Sequence, residues 1–129
     1  MTQPYQIELV EAGIMRIVWD GVLNKDTFQA GVADRVEFAN AHQMEDYVLI
    51  FDLRKARITI LDVRLAAWAA NFDSRLTHTI IIGRSGPAMV AVNALVHLSA
   101  VELEFVATED KALERARQIV KARAKFRED

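Results

Sequence analysis

Cysteine is absent from the 129 residues, which removes disulfides, thiolate metal sites, iron–sulfur ligation and thiol catalysis. Glycine and proline are scarce, at 5 and 2 residues, so collagen-like and low-complexity compositions are excluded. Neither sign of charge dominates. The formal net charge is -2, which argues against binding nucleic acid by bulk electrostatics. Residues 1–30 include Glu8, Glu11, Asp20 and Asp26 and lack the basic head and apolar core of a secretory leader. No unbroken apolar stretch approaches the ~20 residues that cross a bilayer. The best candidate, Pro87 to Val101, is interrupted by Asn93, His97 and Ser99. These absences set the expectation of a cytoplasmic chain without a transmembrane segment.

What is present is a folding composition. Hydrophobic residues make up 52% of the chain, too many for a disordered one. The length suits a single domain over residues 1–129, able to bury ~65–70% of the surface that its unfolded chain exposes.

Two kinds of periodicity alternate along the chain. Ile7 to Glu11 reads as a strand, Ala12-Gly13 as a turn, and Ile14 to Trp19 as a second strand, which together predict an antiparallel hairpin. Asp20-Gly21 ends it. A helix is expected from Lys25 to His42, with Asn24 as N-cap and Asp26 in the first turn. Its buried stripe is Phe28, Val32, Val36 and Ala39, with Asp34, Arg35 and Glu37 on other faces. Tyr47 to Phe51 is short, apolar and rich in β-branched residues, the pattern of a strand covered on both sides, and Asp52 closes it. Residues 54–60 form a connection that is basic, then apolar.

A second helix is expected from Asp62 to Leu76, with Leu65, Ala69, Phe72 and Leu76 as its stripe. Thr79 to Ile82 is another buried strand. Gly83-Arg84-Ser85-Gly86-Pro87 breaks it, and a third helix runs from Ala88 to Ala100, Pro87 suiting its first turn. Leu103 to Val106 is the last strand. Thr108 caps a last helix that runs to about Arg127 on a stripe of Leu113, Ala116, Val120 and Ala124. The order is β-β-α-β-α-β-α-β-α: an α/β fold of a leading hairpin and four βα units. Right-handed crossovers then predict a mixed, mostly parallel sheet with the first strand antiparallel at one side.

This order resembles the STAS superfamily, the domain of the sporulation anti-sigma-factor antagonist and of anion-transporter tails. More narrowly, it is similar to the small bacterial chains described as STAS/SEC14-like. The resemblance covers about residues 7–120. It rests on the hairpin ending in Trp19-Asp20-Gly21-Val22-Leu23, on Val48-Leu49-Ile50-Phe51-Asp52-Leu53, and on Ile58-Thr59-Ile60-Leu61 before a helix opening at Asp62. In switching antagonists of the family an Asp before the second helix is followed by a phosphorylatable Ser. Here Asp62 is followed by Val63, which has no hydroxyl to phosphorylate. The resemblance therefore implies the fold without that switch.

Catalytic constellations fail in turn. Gly83-Arg84-Ser85-Gly86-Pro87 lies between a strand and a helix, as a nucleophile elbow does, but its last glycine is Pro87 and no acid lies between Ser85 and His97. Arg84, Ser85 and Gly86 remain a candidate anion site at a helix start. Asp52 stands without the acidic pair and the lysine of a phospho-accepting receiver. His42, His78 and His97 lack metal-ligand spacing, and no phosphate-cradling glycine loop can be drawn. Asp52, Arg54 and Asp62 are candidates at strand ends and helix starts. Arg54, Arg84 and His78 form one conceivable enzymatic grouping, because ligands of parallel sheets bind outside the carboxyl ends of the strands.

The third helix is apolar nearly all round and needs cover on more than one side. Met89, Val92, Leu95 and Val96 are thus candidates for a homodimer interface or for contact with an apolar ligand. The many cations of the last helix read as a solvated face. The leading expectation is a non-enzymatic protein-interaction or regulatory module, homodimeric, with no cofactor or metal. The alternative is a carrier or sensor of an apolar, lipid-like small molecule.

Overall fold

The computed structural model describes residues 3–58, 75–83 and 102–128. The leading hairpin forms as the alternation predicts. β1 (Tyr5–Glu11) and β2 (Ile14–Trp19) pair antiparallel. Gly13 turns the chain between them with φ +81°, a left-handed conformation that a residue without Cβ adopts freely.

Helix α1 (Lys25–Ala41) starts where the sequence places its cap. The Asn24 side chain accepts from the Thr27 amide at 3.0 Å, and the Thr27 hydroxyl accepts from the Asn24 amide at 3.0 Å. This reciprocal pair satisfies two helix-end donors. At the other end the Met44 amide donates to the Ala39 carbonyl and the Gln43 amide to the Asn40 carbonyl. That pattern reverses the chain through a left-handed residue, here Gln43 with φ 51°.

Four strands run parallel: β2, β4 (Tyr47–Asp52), β6 (Leu76–Ile82) and β7 (Glu102–Val106). The sheet order is β1-β2-β4-β6-β7, with the antiparallel strand at one edge. β3 (Val22–Leu23) and β5 (Arg57–Ile58) form a separate two-residue parallel pair. The chain then ends in α2 (Glu109–Glu128), which Thr108 caps by accepting from the Lys111 amide at 3.2 Å. Among the described residues no helix is long and apolar enough to cross a membrane.

Side-chain alternation gives the sheet two cores. On the α1 face Met15, Ile17, Trp19, Leu49 and Ile81 are buried with Ala39 of the helix. On the α2 face Ile14, Val48, Ile50, Ile80 and Ile82 are buried with Ala112, Ala116 and Ile119. The central strand β4 is thus covered on both sides, as its unbroken apolar run requires.

Four details differ from the sequence reading. Leu76 is not the last turn of a helix; it opens β6, and the Tyr47 amide bonds to the carbonyl before it, that of Arg75, at 3.0 Å. The connection over 54–60 contains β5. Arg35 is buried in α1 rather than turned to solvent. The buried stripe of α2 is Ala112, Ala116 and Ile119, and Ala124 is exposed. Two alanines let this helix lie close on the sheet, a fit that a hydropathy pattern underweights. The expected second helix up to Leu76 and the expected third helix fall outside the described residues.

Candidate functional site

The carboxyl ends of the parallel strands bring together charges from four elements. Asp52 is the last residue of β4, and its side chain is only 7% exposed. A carboxylate so buried needs a partner. Arg54 supplies it two residues later. Its Nη2 donates to Oδ2 of Asp52 at 2.7 Å, and its Nε donates to Oδ1 at 3.0 Å. The Arg54 backbone amide adds a third bond to Oδ1 at 3.1 Å. Burial pushes the Asp52 carboxyl upward, but the hydrogen bonds and charge of Arg54, with the charge of Arg16, outweigh it and hold the group below its ordinary 3.8. Arg54 is pushed up in turn by its bond to Asp52.

The second arginine lies in the sheet. Arg16 sits mid-strand on the α2 face, opposite Glu8 of β1 and Ile50 of β4. A charged side chain on a core-facing position must reach the rim or pair there. It does both, binding Glu8 on one side and Glu109, the first residue of α2, on the other. Its Nε is buried with no hydrogen-bond partner among the described residues. Arg54 Nη2 lies 3.7 Å from the other oxygen of Glu109. Glu109 therefore bridges the two arginines at the positive end of a helix dipole, where a carboxylate is stabilised.

Further ion pairs fasten α2 along its length. Arg115 donates to Glu104 at 2.8 Å, Arg117 to Glu11 at 2.8 Å, and Arg123 approaches Asp46 at 4.0 Å. Cations read from the sequence as a solvated face thus reach back to carboxylates of the sheet and its loops. Such exposed pairs stabilise weakly but orient the helix.

The candidate residues separate clearly. Asp52 and Arg54 are in direct contact at the carboxyl edge. Asp62, Arg84, Ser85, Gly86, Met89, Val92, Leu95 and Val96 lie outside the described residues. His78 does not share the edge with Arg54. It pairs with Val48 while Asp52 pairs with Ile82, so about 13 Å of strand separates the two levels. His78 instead lines an open groove of about 410 Å³ beside α2, with Asp46, Arg115, Ile119 and Arg123. Among the described residues no three potential metal ligands come together. Sequence reasoning missed Arg16 and Glu109. The one signal for Arg16 was a charge inside the apolar run Ile14–Trp19; Glu109 gave none beyond its helix-start position.

No family model matches the chain, and no curated protein matches it. Among solved structures it is similar to an uncharacterized protein of the DUF3478 family with a SpoIIAA-like fold from Shewanella loihica. The similarity has a TM-score of 0.59 and 18% identity, and covers 87% of this chain and 91% of that one. The fold is therefore SpoIIAA-like, which is the STAS fold, as the resemblance implied.

Proposed function

We propose that this chain is a non-enzymatic interaction module of the STAS fold, homodimeric, which presents the carboxyl edge of its sheet to a regulatory protein. One observation carries the reading: the edge is a rim of fixed charges, with Asp52 locked to Arg54 and Glu109 shared between Arg16 and Arg54. A general acid or base works best with a pKa near the operating pH. Asp52 is held on the far side of its ordinary value. Charges with a set geometry suit partner recognition, where complementarity governs specificity and association rate. Val63 stands where the family's switch carries a hydroxyl, so recognition here is independent of phosphorylation at that position.

The test places a photo-crosslinking amino acid at Lys55, an exposed position next to Arg54, in the full chain in native cell extract. A discrete protein adduct, lost when Arg54→Ala is added while circular dichroism is unchanged, supports the reading. A preparation that yields no such adduct and carries a stoichiometric apolar molecule in native mass spectrometry overturns it in favour of a lipid-like carrier.

A further inference from the structure

The sheet ends at β1, and among the described residues no strand pairs with its outer side. Which backbone groups face outward follows from the hairpin. Opposite residues of an antiparallel ladder alternate between pairs that exchange hydrogen bonds and pairs that exchange none. The Asp20 amide donates to the Pro4 carbonyl at 2.9 Å. The register continues Tyr5↔Trp19, Gln6↔Val18, Ile7↔Ile17, Glu8↔Arg16 and Leu9↔Met15. Gln6 and Glu8 therefore aim their amides and carbonyls at β2. Those of Tyr5, Ile7 and Leu9 point away from the sheet.

The ladder starts at Pro4, an inward-facing position whose carbonyl accepts from the Asp20 amide, so Tyr5 is the first residue with outward groups. A bulge between Leu9 and Glu11 breaks the ladder at its end. The usable window is Tyr5–Leu9, with Ile7 at its centre. Lysine and proline, the common guards of an edge strand, are missing from it. Leu9 meanwhile leaves 43% of its surface exposed.

We propose that β1 is the contact of the homodimer, pairing antiparallel with β1 of a second copy across a two-fold axis at Ile7, so that both five-stranded sheets run on as one. This deepens the homodimer part of the preceding reading and rests on it. The register is self-complementary. Ile7 faces Ile7 of the second copy, Tyr5 faces Leu9, and Gln6 faces Glu8. The outward amides and carbonyls of Tyr5, Ile7 and Leu9 meet their counterparts. Apolar side chains meet on the α1 face, while the Glu8 carboxylate meets the Gln6 amide on the other. The next two-fold register, centred on Glu8, sets Glu8 against Glu8, and like charges directly opposite destabilise a strand pair. An isologous contact of this kind closes with two copies and leaves no sticky edge at β1.

The lack of native cysteine makes the test clean. Gln6→Cys and Glu8→Cys chains, both changed at exposed positions, are mixed under mild oxidation. The register sets these two Cα atoms about 4.5 Å apart, within disulfide range, and sets like positions about 8 Å apart, beyond it. The mixture is expected to yield a disulfide-linked dimer and each variant alone to yield none. In sedimentation the native chain is expected to run as a dimer, and Leu9→Lys as a monomer with unchanged circular dichroism. Equal cross-linking in the unmixed samples, or a Leu9→Lys chain that stays dimeric, overturns this edge while leaving a homodimer through another surface. A native chain that sediments as a monomer overturns both.

Discussion

The hydroxyl of Tyr5, on the first strand, donates to the carboxylate of Asp34 in α1, 29 residues further along the chain. The bond clamps the edge of the sheet to the helix that covers it, and the Tyr5 ring packs on Trp19 with centroids 4.8 Å apart. Burial, then the hydrogen bond and the negative charge of Asp34, push the tyrosine well above its ordinary 10.0. Tyr5→Phe keeps the ring and removes the bond. It is expected to lower unfolding stability by about 1.5–3 kcal/mol at neutral pH, the range for a hydrogen bond to a charged acceptor. The pH dependence has a definite sign. An acid with a raised folded pKa contributes fully below the unfolded value and loses that contribution as pH rises past it. Denaturant midpoints of the native chain should therefore fall above about pH 10, and those of Tyr5→Phe should fall less steeply.

Arg54→Ala is expected to release Asp52 from the state that holds it ionised. Its buried carboxyl should then titrate above its ordinary 3.8 instead of below, which a carbon-detected NMR titration reads directly. The native pair contributes stability above the unfolded carboxylate value and loses it as pH falls through the folded one. Acid unfolding of the variant should accordingly begin at higher pH. At neutral pH the loss is expected to be about 1–2 kcal/mol, below that of a fully buried pair because Arg54 is itself partly exposed.

Gly31, inside α1, lies under the Trp19 ring. A Cβ there would stand 3.0 Å from Cζ3 and 3.1 Å from Cη2 of the indole. That ring is also held by Tyr5 and by Phe51, whose centroid is 5.9 Å away edge-on. Gly31→Ala gains helix propensity of about 1 kcal/mol, but overpacking against a trapped ring costs more, so a net loss of roughly 1 kcal/mol is expected. Chemical denaturation followed by fluorescence in a Trp68→Phe background checks both the sign and the displacement of the Trp19 ring.

Gln43 provides the opposite case. It occupies the left-handed position after α1 with φ 51°, where glycine is usual. Gln43→Gly keeps the two terminal hydrogen bonds and removes the Cβ conflict. A gain of about 0.5–1 kcal/mol in unfolding free energy is expected from thermal or denaturant melts.

Local signals were the legible ones. The hairpin, the Asn24 and Thr108 caps and the doubly buried β4 follow from spacing within a few residues, and the parallel order from the alternation of strands with helices. Elements defined by distant partners were not. β3 and β5 are two residues each and exist because they pair with one another. Leu76 continues a helical period by coincidence, and the polar Thr77 and His78 hide the start of β6. Arg35 is buried despite a side chain that any hydropathy scale places outside. At the carboxyl edge, Asp52 and Arg54 were recognisable as neighbours in sequence. Arg16 and Glu109 joined them only because β2, β4 and the start of α2 converge in space.

The short pairing of β3 with β5 links the segment after Arg54 and Lys55 to the surroundings of a buried indole. The Val22 carbonyl in β3 accepts from the Trp19 indole at 3.2 Å and from the Thr27 hydroxyl at 2.9 Å, while Val22 stands beside Arg57 of β5. The Arg57 amide donates at 2.9 Å to the carbonyl of Gly21, the residue before Val22, so the segment carrying Arg54 and Lys55 is tied one residue from the carbonyl that the indole bonds. Binding at the rim is therefore expected to shift the emission wavelength of Trp19, which a Trp68→Phe chain reads without a second indole.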